Sequence, residues 1–137
     1  MRYANKILLS NSSEQVAQAK AIRFEFQLSN TPLSIQADLG QMEQVLINIL
    51  KNAIEAIHTE GGLIVLKTDA AQKYLQIEDN GKGIATEDLE KIFTPFHSTK
   101  VGGQGIGLTL TREVLSNHGF SFSLKSKETT TFEIRFS

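Results

Sequence analysis

From Leu39 to about Ile57, apolar residues return every three or four positions: Leu39, Met42, Leu46, Ile49, Leu50, Ala53 and Ile57. That spacing marks one buried face of an α-helix. On both sides of this stretch the period changes to two. In AIRFEFQL, Ile22, Phe24, Phe26 and Leu28 alternate with Arg23, Glu25 and Gln27, and LSIQA, LIVLKT, YLQIE, FSFSLKS and TTFEIRF read as further strands. A long helix set among strands that follow one another in pairs argues against strict βαβ alternation. It predicts an α/β (α+β) two-layer sandwich, in which a mixed, mostly antiparallel sheet is backed by helices on one face.

Local signals place the remaining boundaries. Residues from about Ser13 to Lys20 have a weak helical pattern, NTP turns the chain after the first strand, and Asp38 is a good N-cap for the long helix. EGG is expected to stop that helix, and DAAQK joins the next two strands. Thr86 can cap a short helix whose first turn carries Glu87 and Asp88, the right sign for its dipole. IFTPFHSTKVGGQG reads as a loop, and a last helix runs from near Ile106 to before Gly119. The expected order is αββαββ(α)αββ.

With 137 residues, 40% of them hydrophobic, the chain can bury the core of one ordinary domain. The absence of cysteine excludes a disulfide framework and cysteine-ligated zinc or iron–sulfur sites. A formal net charge of -1 and scattered basic residues give no global field for nucleic acid or an anionic membrane. No apolar run reaches the length of a membrane span, and Ile7 to Leu9 is too short for a signal-peptide core.

The polar residues of the long helix are unusual. Gln41, Gln44, Asn48, Lys51, Asn52 and Glu55 share a narrow arc. A solvated face is the ordinary explanation of such a stripe. Asparagine, however, is a poor helix-interior residue, because its amide competes with the backbone. Asn48 and Asn52 stand one turn apart on this arc, and two carboxamides so placed suit a polar ligand or a hydrated hard cation such as Mg²⁺.

The strand YLQIE runs directly into DNGKGI, where an acid, Asp79, precedes Gly81 and Gly83. This is either a plain turn or a place where backbone approaches something flat while a carboxylate points at it. A second cluster, GGQGIGL, opens directly into a helix. It has no Gly-Lys-Ser/Thr ending, and Gly103, Gly105 and Gly107 are spaced GxGxG rather than GxGxxG, so it is neither a Walker A loop nor a dinucleotide fingerprint. Free amides at a helix start can hold phosphate; a mobile loop that merely needs glycine would look the same.

The order of these parts resembles the nucleotide-binding catalytic domain of sensor histidine kinases, in the GHKL superfamily shared with DNA gyrase B, a heat-shock chaperone and MutL. The matching residues are the asparagine box QVLINILKNAIEA, the first glycine box DNGKGI, the phenylalanine box FTPFHSTK and the second glycine box GGQGIGL. The likeness extends from about Ser13 to the end, through the last strand TTFEIRF, so residues 13–137 are expected to form the ATP-binding domain and 1–12 a linker or remnant. The resemblance implies the Bergerat fold, with ATP and Mg²⁺ as cofactors.

Residue by residue, it makes Asn52 the magnesium ligand, with Asn48 beside the phosphates or the metal's water shell. Asp79 accepts from the exocyclic amine of adenine; guanine offers a carbonyl there, and an acceptor facing a carboxylate is left unpaired. Gly81, Gly83 and Ile84 lie along the purine. Gly103, Gln104, Gly105, Ile106, Gly107 and Leu108 surround the phosphates. Residues from about Thr94 to Gly105 form a lid anchored by Phe93 and Phe96, with Thr99 and Lys100 as nucleotide contacts, and Thr131 of the last strand completes the set. Hydrolysing members of the superfamily carry a glutamate four residues before the magnesium ligand. Asn48 occupies that position and cannot take a proton, which favours phosphoryl transfer to a side chain over fast hydrolysis. Glu55 stands where many relatives have a basic residue, so any phosphate contact there falls to Lys100 or Lys51.

The acceptor is not apparent. His58, His97 and His118 lack the H-E-x-x-x-P context of a phosphoacceptor and are read as structural or solvent-exposed, with a cationic His118 favoured at its helix end. The resemblance therefore implies a catalytic domain that binds Mg·ATP, and a separate dimerisation domain, in cis or in trans, that presents the histidine. A response regulator is the downstream partner, with no nucleic acid and no direct membrane contact. It also implies a cytoplasmic location, whether or not the parent protein is anchored in the inner membrane. A serine kinase of the anti-sigma type and a non-catalytic nucleotide-binding module are the alternatives. Gly119-Phe120 in place of a glycine pair, and KETT before the final strand, depart from the family pattern at the edge of the fold.

Overall fold

The protein is described by a computed structural model that covers residues 21–58, 60–84 and 106–136. Strand β1 (Arg23–Gln27) precedes helix α1 (Leu39–Ala56). Strands β2 (Leu63–Asp69) and β3 (Tyr74–Asp79) follow, then helix α2 (Ile106–Asn117) and strands β4 (Ser121–Ser126) and β5 (Thr130–Arg135). The five strands make one sheet in the order β1-β2-β3-β5-β4. β1 runs parallel to β2, and the other neighbours are antiparallel. The mixed, mostly antiparallel sheet expected from the period is present.

Its first pair is assembled differently from the expectation. LSIQA is not a strand. β1 instead pairs with β2, Phe24 opposite Ile64 and Phe26 opposite Leu66, so that α1 lies in the connection between two parallel strands. Parallel neighbours need a crossover of a dozen residues or more, and α1 supplies it. Alternation tells which face of a strand is buried, not which strand it pairs with.

α1 starts as its sequence requires: the Asp38 carboxylate accepts from the Gln41 N–H at 2.9 Å. Its buried face is Met42, Val45, Leu46, Ile49, Leu50, Ala53 and Ile54. Leu39, counted with that stripe, is 54% exposed. The face packs on Ile64, Leu66, Leu75, Ile77, Phe132 and Ile134 of the sheet, with Leu115 of α2 in the same core. Burying one such aliphatic side chain stabilises the fold by roughly 2 kcal/mol. The opposite face of the sheet is polar. There Glu78 accepts from the Thr129 and Thr131 hydroxyls at 3.1 and 3.4 Å, and Glu133 accepts from Gln76 at 2.6 Å and from Arg135 at 2.8 Å.

EGG does not end α1. The helix stops at Ala56 because Ile57 turns extended and buries its side chain to 1% exposure. The glycines serve the next turn: Gly61 has φ +80, and a Cβ on Gly62 would meet the Ile57 side chain at 2.6 Å. α2 does end on a glycine. Phe120 N–H donates to Leu115 C=O at 2.9 Å and Gly119 N–H to Ser116 C=O at 3.0 Å, with Gly119 at φ +75. This is the Schellman arrangement, which a residue with Cβ adopts only under strain. The weak helix at 13–20, the short helix after Thr86 and the glycine-rich loop before 106 lie outside the described residues. Among those described, no helix is long and apolar enough to cross a membrane.

His118, at the end of α2, joins the two helices. Its Nε2 accepts from the Asp38 N–H at 3.0 Å, its Nδ1 lies 2.8 Å from Val114 C=O, and its ring stacks on Phe120. These contacts fit an Nδ1–H that donates to Val114 C=O while Nε2 accepts from Asp38. The residue is structural, as expected.

Candidate functional site

Along β3, Leu75, Ile77 and Asp79 point to the helix side. The same period that buries two aliphatic residues therefore carries a carboxylate to the end of the apolar face. Asp79 is 5% exposed. It stands in a pocket with Ile49, Asn52, Ala53 and Ala56 of α1, Lys82, Gly83 and Ile84 of the following turn, Leu108 of α2, and Ile77, Leu124, Thr130 and Phe132 of the sheet. Gly81 N–H donates to Asp79 Oδ1 at 2.9 Å; no other described residue donates to this carboxylate. Burial pushes its pKa up to about 6, against the lowering effect of the Gly81 N–H, and the neighbouring charge of Glu78 adds to the rise. A buried carboxylate with an acceptor oxygen to spare, in a mostly apolar pocket, suits a ligand that brings a hydrogen-bond donor.

The glycine turn is attached to the scaffold from three directions. Lys82 N–H donates to Ala56 C=O at 2.9 Å, the carbonyl at the end of α1. A Cβ on Gly81 would stand 2.5 Å from that carbonyl oxygen. Gly81 is thus required by the helix end rather than by a ligand, and it does not line the pocket. Gly83 does, with φ +76, and the Ser126 Oγ would lie 3.1 Å from an added Cβ. Ile84 N–H donates to Ser126 Oγ at 2.9 Å, and that hydroxyl meets Thr130 Oγ1 at 2.8 Å. Asn80 ties the turn to the start of β2: its Oδ1 accepts from Leu63 N–H at 2.8 Å, and its Nδ2 donates to Gly61 C=O at 3.0 Å.

On α1, Asn52 reaches the pocket and Asn48, one turn earlier, does not line it. Asn52 Nδ2 donates to the Asn48 C=O at 2.9 Å, and Gln44 Nε2 donates to Asn48 Oδ1 at 3.0 Å. With its nitrogen turned back on the helix, the Asn52 amide has its oxygen on the other side. That oxygen is one hard, neutral ligand; a magnesium ion there would need phosphates and water to complete its octahedron.

Of the residues singled out in the sequence, the structure gathers Asn52, Asp79, Gly83, Ile84 and Leu108 around one pocket. Ile106 and Gly107 open α2 where a helix start was expected. Thr131 is not brought in: it sits on the polar face, hydrogen-bonded to Glu78, while its neighbour Thr130 lines the pocket opposite Asp79. The reason is strand period. Phe132, Ile134 and Phe136 face the core, so Thr130 does as well; the alternation of TTFEIRF contained this signal. Lys82 was also missed, as the residue between two glycines. Phe93, Phe96, Thr99, Lys100, Gly103, Gln104 and Gly105, with His97, lie outside the described residues.

A helix that brings an asparagine to the pocket, laid across a mixed sheet whose central strand ends in a buried acid beside a glycine turn, is the architecture of one class of ATPase domain. The chain belongs to the family described as histidine kinase-, DNA gyrase B- and HSP90-like ATPases, whose profile matches residues 37–137. Within it, the likeness is to sensor histidine kinases. The chain is 38% identical over 120 residues to sensor histidine kinase ZraS of Salmonella typhi, covering 86% of this chain and 26% of that protein. It is 41% identical over 98 residues to the C4-dicarboxylate transport sensor protein DctB of Rhizobium meliloti, covering 69% and 16%. The catalytic domain of histidine kinase ThkA superposes with a TM-score of 0.82 at 32% identity, covering 98% of this chain and 91% of that one. ThkA in complex with response regulator protein TrrA also matches, with a TM-score of 0.77 at 30% identity, covering 99% of this chain and 40% of that one. The chain spans about a quarter of the length of ZraS.

Proposed function

We propose that the pocket binds the adenine of Mg·ATP and that this domain supplies the γ-phosphate to a histidine on a separate phosphoacceptor and dimerisation domain. The observation that carries the reading is the Asp79 carboxylate, buried to 5% exposure with a single described donor, at the end of an apolar pocket. Adenine has an exocyclic amine to give to it and a flat apolar body for Ile49, Ala53, Ile77 and Phe132. Asn52 is the residue suited to hold Mg²⁺, which when bound neutralises phosphate charge. Asn48 offers no base for water, so the domain favours transfer over hydrolysis. Its work is positioning and charge stabilisation. The ThkA–TrrA complex supports a response regulator as the final recipient.

Calorimetric titration with ATP, ADP and GTP, with and without Mg²⁺, tests this. The expected result is adenine-selective binding that Asp79→Ala abolishes while the fold persists by circular dichroism. Equal binding of ATP and GTP would overturn the role of Asp79; no binding of any nucleotide by folded protein would overturn the site.

A further inference from the structure

Ser126, at the end of β4, stands one layer behind the pocket. It does not line the cavity, but both of its hydrogen-bond partners do. Its Oγ accepts from Ile84 N–H at 2.9 Å and lies 2.8 Å from Thr130 Oγ1. Thr130 is buried and is the cross-strand partner of Asp79, lining the same pocket. Side chains paired in this way have Cβ atoms about 5 Å apart, within reach of a hydrogen bond from a hydroxyl to a carboxylate. No such bond is made. Thr130 turns its oxygen to Ser126 instead, and among the described residues Asp79 receives the Gly81 N–H alone.

We propose that Ser126 is a positioning residue for base recognition: by holding the Thr130 hydroxyl toward β4, it keeps one oxygen of Asp79 open to the ligand. This rests on the adenine reading of the same pocket. A hydroxyl buried beside a carboxylate would otherwise donate to it, because a charge-assisted hydrogen bond is about twice as strong as a neutral one. The amine of the base would then have to displace a donor already in place. Either hydroxyl of the Ser126–Thr130 pair can be the donor; what matters is that the Thr130 oxygen faces Ser126. The ordinary alternative is that Ser126 only fastens the glycine turn, through Ile84 N–H, and serves stability.

Two measurements separate these roles. The first is the titration of the Asp79 carboxyl in the nucleotide-free domain, followed by carbon-13 NMR. In Ser126→Ala the released Thr130 hydroxyl is expected to donate to Asp79 and move its titration to lower pH, while Ser126→Thr should keep the wild-type value. Glu78, whose charge also acts on Asp79, and Lys82 of the pocket lining are the same in all these variants. The second is the dissociation constant for ATP. Ser126→Ala is expected to weaken ATP roughly fivefold, and to cause no further loss in a Thr130→Val background, where no hydroxyl is left to compete. An Asp79 titration that stays in place in Ser126→Ala would overturn the proposal, as would unchanged ATP affinity. An equal loss in the Thr130→Val background would also overturn it, because the effect would then run through the turn. A wild type that binds no ATP would overturn the adenine reading, and the Asp79 titration would still decide whether Ser126 holds Thr130 away.

Discussion

Asp79 is placed by strand period alone, and its environment makes its charge costly. A carboxyl whose pKa is raised from 3.8 to about 6 by burial favours the folded state most when protonated. That stability is fully present below the unfolded value and is lost as pH rises through about 6. With allowance for water reaching the open pocket, the effect is on the order of 2 kcal/mol. The nucleotide-free domain should therefore lose stability from this group between pH 4 and pH 7, as read by urea denaturation, and Asp79→Asn should flatten that slope. ATP affinity should run the other way and weaken several-fold as pH falls through about 6, because the ionised acceptor makes the stronger hydrogen bond. A wild-type stability profile superimposable on that of Asp79→Asn would contradict this account.

At the scale of elements, α1 is held at both ends by groups distant in sequence. Its N-cap residue Asp38 has its N–H on His118, and its last carbonyl, Ala56, receives the Lys82 N–H. Asp38→Ala should cost about 1 kcal/mol through the lost cap, and His118→Ala about 1 kcal/mol through the lost hydrogen bond. The double variant measures their coupling. Since the bond runs from the Asp38 backbone, which alanine retains, the two losses should be nearly additive in urea denaturation. Strong non-additivity would mean that the Asp38 carboxylate and the ring communicate directly. These attachments also mark what could be read in the sequence. The helix, its cap and the positions of the five strands were legible because periodicity and capping are local; Asp79 was singled out by its glycine turn and the resemblance, and its burial was seen only in the structure. The pairing of β1 with β2 was not legible, because alternation specifies a face and leaves the partner open. The end of α1 was misread as a glycine stop because a buried Ile57 overrides it, and where Thr131 was named, the period of the strand brings Thr130 to the pocket instead. Gly81 was visible as a required glycine, but the reason for it, the helix end at Ala56, was visible only in three dimensions.

At the scale of the whole molecule, the asparagine helix and the acid-ended strand frame the candidate nucleotide pocket, and among the described residues neither histidine is an obvious phosphoacceptor. His118 is occupied by Asp38 and Val114, and His58 follows the end of α1, exposed. Incubated alone with labelled Mg·ATP, the chain should accumulate no acid-labile phosphohistidine; with a histidine-bearing helical domain of a close relative added in trans, label should appear on that domain. Stoichiometric label on this chain alone would sink the division of labour.

Asp79 also sits on the strand with neighbours on both sides, β2 and β5, near the centre of the sheet. Central strands give up their amide hydrogens only when a domain opens globally, whereas turns exchange through local fluctuations. In a deuterium-exchange time course, β3 should be among the last segments to label, with the Gly81–Ile84 turn, whose Gly81, Lys82 and Ile84 amides are hydrogen-bonded, labelling before it but not with the open turns. The recognition of the base would then be a preset property, as durable as the fold itself. Adjustments in how quickly nucleotide comes and goes would have to arise at the rim, leaving the choice of base untouched.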